Sequence, residues 1–285
     1  MATTLLRVDS SVETYCFGVY TKAMQAITPK ILIAIPSYNC AKQLPRVLDE
    51  IDQRLIDRVE EIAVIDNGST QNTVETALAY KAKRSMDGKL KVFQNTDNYN
   101  LGGTHKVAFL RAKELGLSHV LILHGDNQAK SDEANDLLDY HLKHPEHQTV
   151  LGSRFMRESR LIGYDMKRIA GNHVLNTIYS VVALRRLTDL GSGLNLFALS
   201  DLQEEMYLNF ADKLTFNYEL ILDFVRRKVN FAYVPITWRE EDQVSNARNM
   251  NIFKTALVNL FRWRFGMRES STRKTSKDYT CKEIV

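Results

Sequence analysis

Five consecutive residues, His124-Gly125-Asp126-Asn127-Gln128, carry an imidazole, a carboxylate and an amide at alternate positions, directly after the apolar run Val120 to Leu123. If the backbone stays extended through them, the period of two puts His124, Asp126 and Gln128 on one side, about 6.5–7 Å between neighbours. Such a set suits convergence on one cation or phosphate. Asp126 offers the hard oxygen that Mg²⁺ or Mn²⁺ prefers, and an imidazole also ligates Mn²⁺. The competing reading is a plain strand-to-loop turn, with Gly and Asp as turn formers and His124 as a core histidine.

Other apolar runs end in the same way. Ile31 to Ile35 leads into Pro36-Ser37-Tyr38-Asn39, and Glu61 to Ile65 into Asp66-Asn67-Gly68-Ser69-Thr70, with a helical pattern from Thr73. Leu90 to Phe93 precedes Asn95 to Asn100, Leu101-Gly102-Gly103-Thr104 and a helix near His105 to Leu115. Apolar runs that end in polar turns and are followed by helices describe a parallel sheet whose binding edge is formed by the strand C-termini. Neighbouring glycines ahead of a helix would let backbone N–H groups approach a phosphate, which makes Gly102 and Gly103 candidates for phosphate binding.

The blocks IPSYN (35–39), VIDNGST (64–70), NLGGT (100–104), HGDNQ (124–128) and LGSRF (151–155) occur in the order and spacing of the family 2 glycosyltransferases. The chain resembles the branch containing dolichyl-phosphate mannose synthases and polyprenyl-phosphate glycosyltransferases, over roughly residues 30–247. Lys167-Arg168, Asn172, TDLGSG (188–193) and VPITWR (234–239) with Ser245-Asn246 continue the match. The resemblance implies an α/β GT-A fold: one large domain with a mainly parallel, Rossmann-like sheet flanked by helices. Its nucleotide half would run over 30–128 and its acceptor half over 129–247.

The same resemblance assigns roles. Pro36, Tyr38 and Asp66 would hold base and ribose, although an Asx turn or helix cap also accounts for Asp66. Asp126 becomes the metal ligand for Mg²⁺ or Mn²⁺. His124 stands where relatives often carry a first Asp, and would ligate the metal or touch phosphate or ribose. Gln128 would orient the acceptor or Asp126. Arg154 would pair with diphosphate oxygens or form a salt bridge. Arg239 and Ser245 would lie in a loop closing over the diphosphate. Asn195 replaces a basic residue of lipid-phosphate-using relatives, with Arg168, Arg185 or Arg186 as substitutes. If the acceptor is a hydroxyl, Glu219 or Asp223, one turn apart on the helix Phe216 to Lys228, supplies the base; Glu219 also suits helix N-terminal charge compensation.

The implied reaction is inverting transfer from a UDP- or GDP-sugar to a polyprenyl phosphate or lipid-linked glycan in cell-envelope glycan synthesis. A soluble or polysaccharide hydroxyl acceptor, or a nucleotide-sugar-binding subunit without activity, are the alternatives. A dehydrogenase lacks support because no G-x-G-x-x-G follows the first strand. Nor does PSYN resemble the Gly-rich, basic loop that a sugar-phosphate nucleotidyltransferase needs.

The 285 residues, 44% of them apolar, suffice for a sizeable core, and a net charge of +4 is too weak to argue for nucleic acid. Cys16, Cys40 and Cys281 lack zinc spacing and read as free thiols of a reducing compartment. No signal-peptide pattern opens the chain, and its longest apolar stretch, Val174 to Leu184, is far short of the ~20 residues that span a bilayer. The expected location is therefore cytoplasmic or peripheral on the inner membrane face. Residues 1–29 form an extension with a helix around Val19 to Ala26, and 269–285 a mobile tail. Between them, 248–268 reads as a basic amphipathic helix. Its stretch 249–267 suits an anionic membrane surface, or equally a packing face on the domain or on a second subunit.

Overall fold

The computed structural model describes residues 28–242, 249–266 and 277–285. The expected helix near Val19 to Ala26, Ser245 and residues 267–276 lie outside the described residues. The apolar runs form β1 (Ile31–Ser37), β2 (Glu61–Asp66), β3 (Leu90–Asn95) and β4 (His119–Leu123). Later come β5 (Val150–Ser153), β6 (Arg160–Ile162), β7 (Leu194–Ala198), β8 (Ala232–Pro235), β9 (Thr237–Arg239) and β10 (Cys281–Ile284). Eight of these make one sheet in the order β10-β3-β2-β1-β4-β7-β5-β8, and β6 pairs with β9 in a second, two-stranded sheet.

The central strands β3, β2, β1 and β4 are parallel. They are buried on both faces, which is why β1 and β2 read as continuous apolar runs rather than alternating ones. Odd-numbered β1 residues (Ile31, Ile33, Ile35) enter a core with the helices Leu44–Asp49, Gln53–Asp57 and Ala134–Lys143. Leu32 and Ala34 enter the other, beneath Asn100–Glu114, Met166–Ala183, Phe216–Arg227 and Asn249–Arg264. Strands β7 and β5 continue the same sheet through antiparallel pairings with β4 and with each other, so both expected halves share one sheet.

Successive crossovers carry β2 and β3 to one side of β1, then β4 to the other. The strand order reverses between β1 and β4, the position where open α/β sheets bind ligands beyond the strand C-termini. The loops 36–40 and 124–128 meet there.

The described end of the chain corrects one expectation. Residues 277–285 are not a mobile tail: β10 pairs antiparallel with β3, matching Cys281 to Asn95 and Ile284 to Val92, and Tyr279 is buried. Tyr279 Oη lies 2.7 Å from Asp212 Oδ1, and buried Lys106 Nζ donates to it at 3.0 Å. Polar composition suggested disorder, but edge pairing draws on backbone groups that every residue has.

Candidate active site

Strand β4 stops at Leu123 because its neighbours capture the next two amides. His124 N donates to Gly193 O at 2.9 Å and Gly125 N to Pro36 O at 3.0 Å. Any side chain at Gly125 would strike Ser37 Oγ, so glycine lets the two loops touch. Asn127 then takes a left-handed φ of 59° and the chain turns. The extended backbone that would align His124, Asp126 and Gln128 is therefore absent.

His124, expected as a metal ligand, meets interior partners in this structure. Alternation along β4 sends Val120, Ile122 and His124 to the face covered by Asn100–Glu114. There His124 Nε2 lies 3.1 Å from Nε2 of the fully buried His105. A Cβ on Gly193 would approach His124 Nδ1 to 2.8 Å, so the ring packs flush on that glycine. Burial drives the pKa of both imidazoles down, with the mutual repulsion of the pair adding to the effect at His105, so the pair is held neutral. Asp126 stays at the turn with Oδ1 accepting from Gln128 N at 3.2 Å.

On the β1–β2 side, Asp66 is fully buried. Its Oδ2 accepts from Gly68 N and Ser69 N at 3.1 Å each and from Gln94 Nε2 at 3.2 Å, while Oδ1 takes the Ser69 hydroxyl. This is the Asx-turn role, and it leaves one lone-pair direction on Oδ1. Asn39 Oδ1 ties the 36–40 loop to this turn by accepting from Thr70 N at 2.9 Å. Pro36 supplies the carbonyl that holds Gly125, and Tyr38 is 44% exposed beside it. Cys40 is a free, buried thiol beneath both loops. Burial pushes its pKa up to about 11, with the Asp126 and Asp66 carboxylates adding to the rise.

Gly102 and Gly103 do not form a phosphate loop. The helix begins at Asn100, so both lie in its first turn, and both amides donate to Asp212 O, at 2.7 and 3.3 Å. A Cβ on Gly102 would come within 2.6 Å of Ala211 O and of Phe216 Cβ. The glycines permit helix-to-loop contact instead.

The cations of the acceptor half are also engaged. Arg154 forms a two-pronged pair with Asp189, Nε to Oδ2 and Nη2 to Oδ1, each 2.8 Å. Burial alone would lower its pKa, but Asp189 outweighs burial and holds it above the ordinary arginine value. Arg239 grips Glu50 at 2.7 and 3.0 Å and Asn127 Oδ1 at 3.0 Å, bracing the 124–128 turn rather than facing a diphosphate. Asn195 accepts from Gly152 N at 3.2 Å and donates to Ser192 O at 2.9 Å.

Both expected bases have partners within the protein. Glu219 accepts from Ala211 N and Asn259 Nδ2, both at 3.0 Å. Asp223 pairs with Arg227 at 2.8 Å, and Arg227 reaches Asp201 O. Asp201 follows β7 beyond Ala198, which pairs with His119 at the start of β4, so Asp223 sits at the opposite edge of the sheet. The carboxylate that does adjoin the turn is Glu240, which was not singled out. It accepts from Arg168 Nη1 at 2.7 and 2.6 Å and from Gln128 Nε2 at 3.4 Å. The signal available was its place directly after Arg239 in the VPITWR block.

No group of three or more His, Cys, Asp or Glu side chains able to hold a metal occurs among the described residues. With His124 turned inward, Asp126 is the hard oxygen at the turn. One carboxylate fits a divalent cation that completes its shell with the donor's phosphates and water, a common Mg²⁺ arrangement. It does not fit a preformed ion site.

Comparisons with known proteins agree with this architecture. Residues 32–196 match the family model for Glycosyl transferase family 2. The dolichyl-phosphate beta-glucosyltransferase of Drosophila melanogaster is 25% identical over 226 residues, 75% of this chain and 68% of that protein. Its namesake from Saccharomyces cerevisiae is 22% identical over 240 residues, 79% and 71% of the two chains. Among solved structures, glucosyl-3-phosphoglycerate synthase from Mycobacterium tuberculosis, in complex with Mn²⁺, uridine-diphosphate and phosphoglyceric acid, superposes with a TM-score of 0.61 at 15% identity, covering 86% of this chain and 80% of that one. With the strand-end blocks in place at the switch point of a mainly parallel sheet, the chain belongs to glycosyl transferase family 2.

Proposed function

We propose that the chain transfers glucose from UDP-glucose to a polyprenyl phosphate, with inversion at the anomeric carbon. The observation that carries this reading is the engagement of the acids. Glu219 is engaged by Ala211 N and Asn259, Asp223 by Arg227, and Glu240 by Arg168. A hydroxyl acceptor needs a base to take its proton, whereas a phosphate acceptor attacks already ionised. The names of the fly and yeast relatives point to the same acceptor class and to glucose.

In this reading the uracil and ribose lie over the 36–40 and 66–70 loops. Asp66 shapes the second loop from beneath through its bonds to Gly68 N and Ser69 N, and Tyr38 is exposed for contact. Asp126 holds Mg²⁺ or Mn²⁺ against the diphosphate; the ion, when bound, neutralises the leaving group. Arg168 meets the acceptor phosphate and Gln128 orients it, with Glu240 holding both until the acceptor competes for the guanidinium. An acceptor phosphate oxygen forms the new bond to the anomeric carbon as the bond to the β-phosphate oxygen breaks, and the electron pair leaves with UDP.

The test is to incubate the purified chain with UDP-glucose and Mn²⁺, adding a short-chain polyprenyl phosphate or the corresponding polyprenol. Glucosyl transfer to the phosphate alone is expected. Transfer to the polyprenol, or to a free sugar in preference to the phosphate, would overturn the acceptor.

A further inference from the structure

The Met166–Ala183 helix has an outer face unlike that of an ordinary surface helix. Met166, Ala170, His173, Val174, Thr177 and Val181 fall within roughly 100° of its circumference, and the left-handed cap residue Leu184 continues the line. No residue of this arc is Asp, Glu, Lys or Arg, although the arc faces outward: Met166, Val174, Val181 and Leu184 are between 53% and 92% exposed. The Asn249–Arg264 helix packs beside it on the same side of the sheet, with Tyr179 Oη donating to Ala256 O at 2.7 Å. That helix and the residue following it expose Val258, Phe261 and Phe265.

Charge decides what covers these apolar residues. Residues 166–188 and 249–268 contain no Asp or Glu, in a chain with 34 of them among 285 residues. Lys167, Arg186, Lys254 and Arg264 are exposed around the apolar positions. A second copy joined by a two-fold axis would oppose these cations to themselves. An anionic lipid surface would take both features: apolar side chains into the headgroup–acyl boundary, cations against lipid phosphates. Among the described residues no helix is long and apolar enough to cross a membrane, so contact would be in plane.

We infer that the outer arc of Met166–Ala183, with the exposed residues of the neighbouring helix, docks the enzyme on an anionic membrane surface. The arc begins two residues before Arg168, which bonds Glu240 beside the candidate site. Docking would thus bring the opening to the depth of a lipid phosphate. That purpose rests on the polyprenyl-phosphate reading; the docking itself does not.

The experiment is co-flotation of the full chain with phosphatidylcholine vesicles, with and without phosphatidylglycerol. The parent should float with the phosphatidylglycerol vesicles, less so at high salt. Val181→Glu with Leu184→Glu should lower the partition on the order of 30-fold, about fivefold for each carboxylate placed near the anionic surface. Leu142→Glu, an exposed leucine on the Ala134–Lys143 helix, should leave it unchanged. If the paired glutamates lower the melting temperature, Val181→Ser with Leu184→Ser replaces them and should still weaken flotation severalfold. Absence of flotation, equal flotation of parent and arc variants, or a parent dimer that the arc variants disperse would each overturn the proposal. Transfer to a water-soluble short-chain isoprenyl phosphate should survive the arc substitutions. If the parent floats but transfers nothing, the acceptor reading fails and the docking surface stands.

Discussion

Replacing Lys106 by Met tests why the C-terminal strand is ordered. Lys106 Nζ has no solvent exposure and meets four acceptors: Leu208 O at 3.1 Å, Phe210 O at 2.6 Å, Asp212 Oδ1 at 2.7 Å and Tyr279 Oη at 3.0 Å. Methionine fills similar volume but removes the charge and every donor. Breaking a buried ion pair from one side costs about 3–5 kcal/mol. Asp212 keeps the Tyr279 hydroxyl and some solvent, which lowers the figure, while two carbonyls lose a donor, which raises it. The expected loss is ~4 kcal/mol, or a fall in melting temperature of about 7 °C for a chain of this size.

Tyr279→Phe keeps the ring against Tyr99 and Lys106 but loses the hydroxyl, at about 1–2 kcal/mol. The assays are thermal melts and urea titrations followed by circular dichroism. The pH dependence has a fixed sign. Burial raises the Asp212 pKa, but the hydrogen bonds from Lys106 and Tyr279 overcome burial and hold it below the ordinary carboxylate value. The parent's advantage over Lys106→Met should therefore be complete above roughly pH 4 and shrink as pH falls through the lowered folded value. A Lys106→Met protein within ~1 kcal/mol of the parent, or a silent Tyr279→Phe, would refute the anchoring argument.

Three further outcomes follow from the site. His124→Asp should cost at least ~3 kcal/mol in urea unfolding by burying a carboxylate beside His105; a stable variant with raised Mg²⁺-dependent activity would return His124 to the metal. Asp126→Ala should bind UDP in Mn²⁺ no better than the parent binds it in EDTA, with an unchanged circular dichroism spectrum, and titration calorimetry should find negligible Mn²⁺ uptake by the parent without nucleotide; equal UDP affinity of variant and parent in Mn²⁺ would remove Asp126 from the metal. Glu219→Gln should retain turnover within about threefold, whereas a drop of ~10²–10⁴-fold would reinstate it as a base.

How much of this was legible in the sequence depended on the physics of each element. Strands buried on both faces must be apolar throughout, so Ile31 to Ile35 and Glu61 to Ile65 announced themselves, as did the polar turns at their ends. The strand Cys281–Ile284 gave no such signal, because it lies at an edge and is held by backbone pairing and one tyrosine anchored elsewhere. Gly102-Gly103 offered two explanations, phosphate approach or close packing, and only the position of Asp212, more than a hundred residues away, separates them. The arginines posed the same problem. Arg154, Arg168 and Arg239 look alike in sequence, yet Asp189, Glu240 and Glu50 divide them into a buried pair, a partly exposed pair near the turn and a brace for the turn.

Two departures from the family pattern, His124 for an acid and Asn195 for a cation, raised the possibility of a binding subunit without activity. The structure gives each an interior partner. His124 stacks on Gly193 and meets His105, while Asn195 joins the Gly152 amide to the Ser192 carbonyl. Both positions lie where the β4 and β7 ends are packed together, and both side chains hold those ends in register. The lost carboxylate leaves Asp126 to carry the hard oxygen, which makes the cation depend more heavily on the donor's own phosphates. The absent cation leaves Arg168, whose carboxylate partner Glu240 also touches Gln128, as a partly exposed guanidinium near the turn that Arg239 braces. In the proposed reading such a site would assemble around its substrates: the diphosphate would bring the metal, and an anionic acceptor would compete with Glu240 for Arg168. Stability and chemistry are then separable by mutation, with the histidine pair and Asn195 governing the first and Asp126 and Arg168 the second.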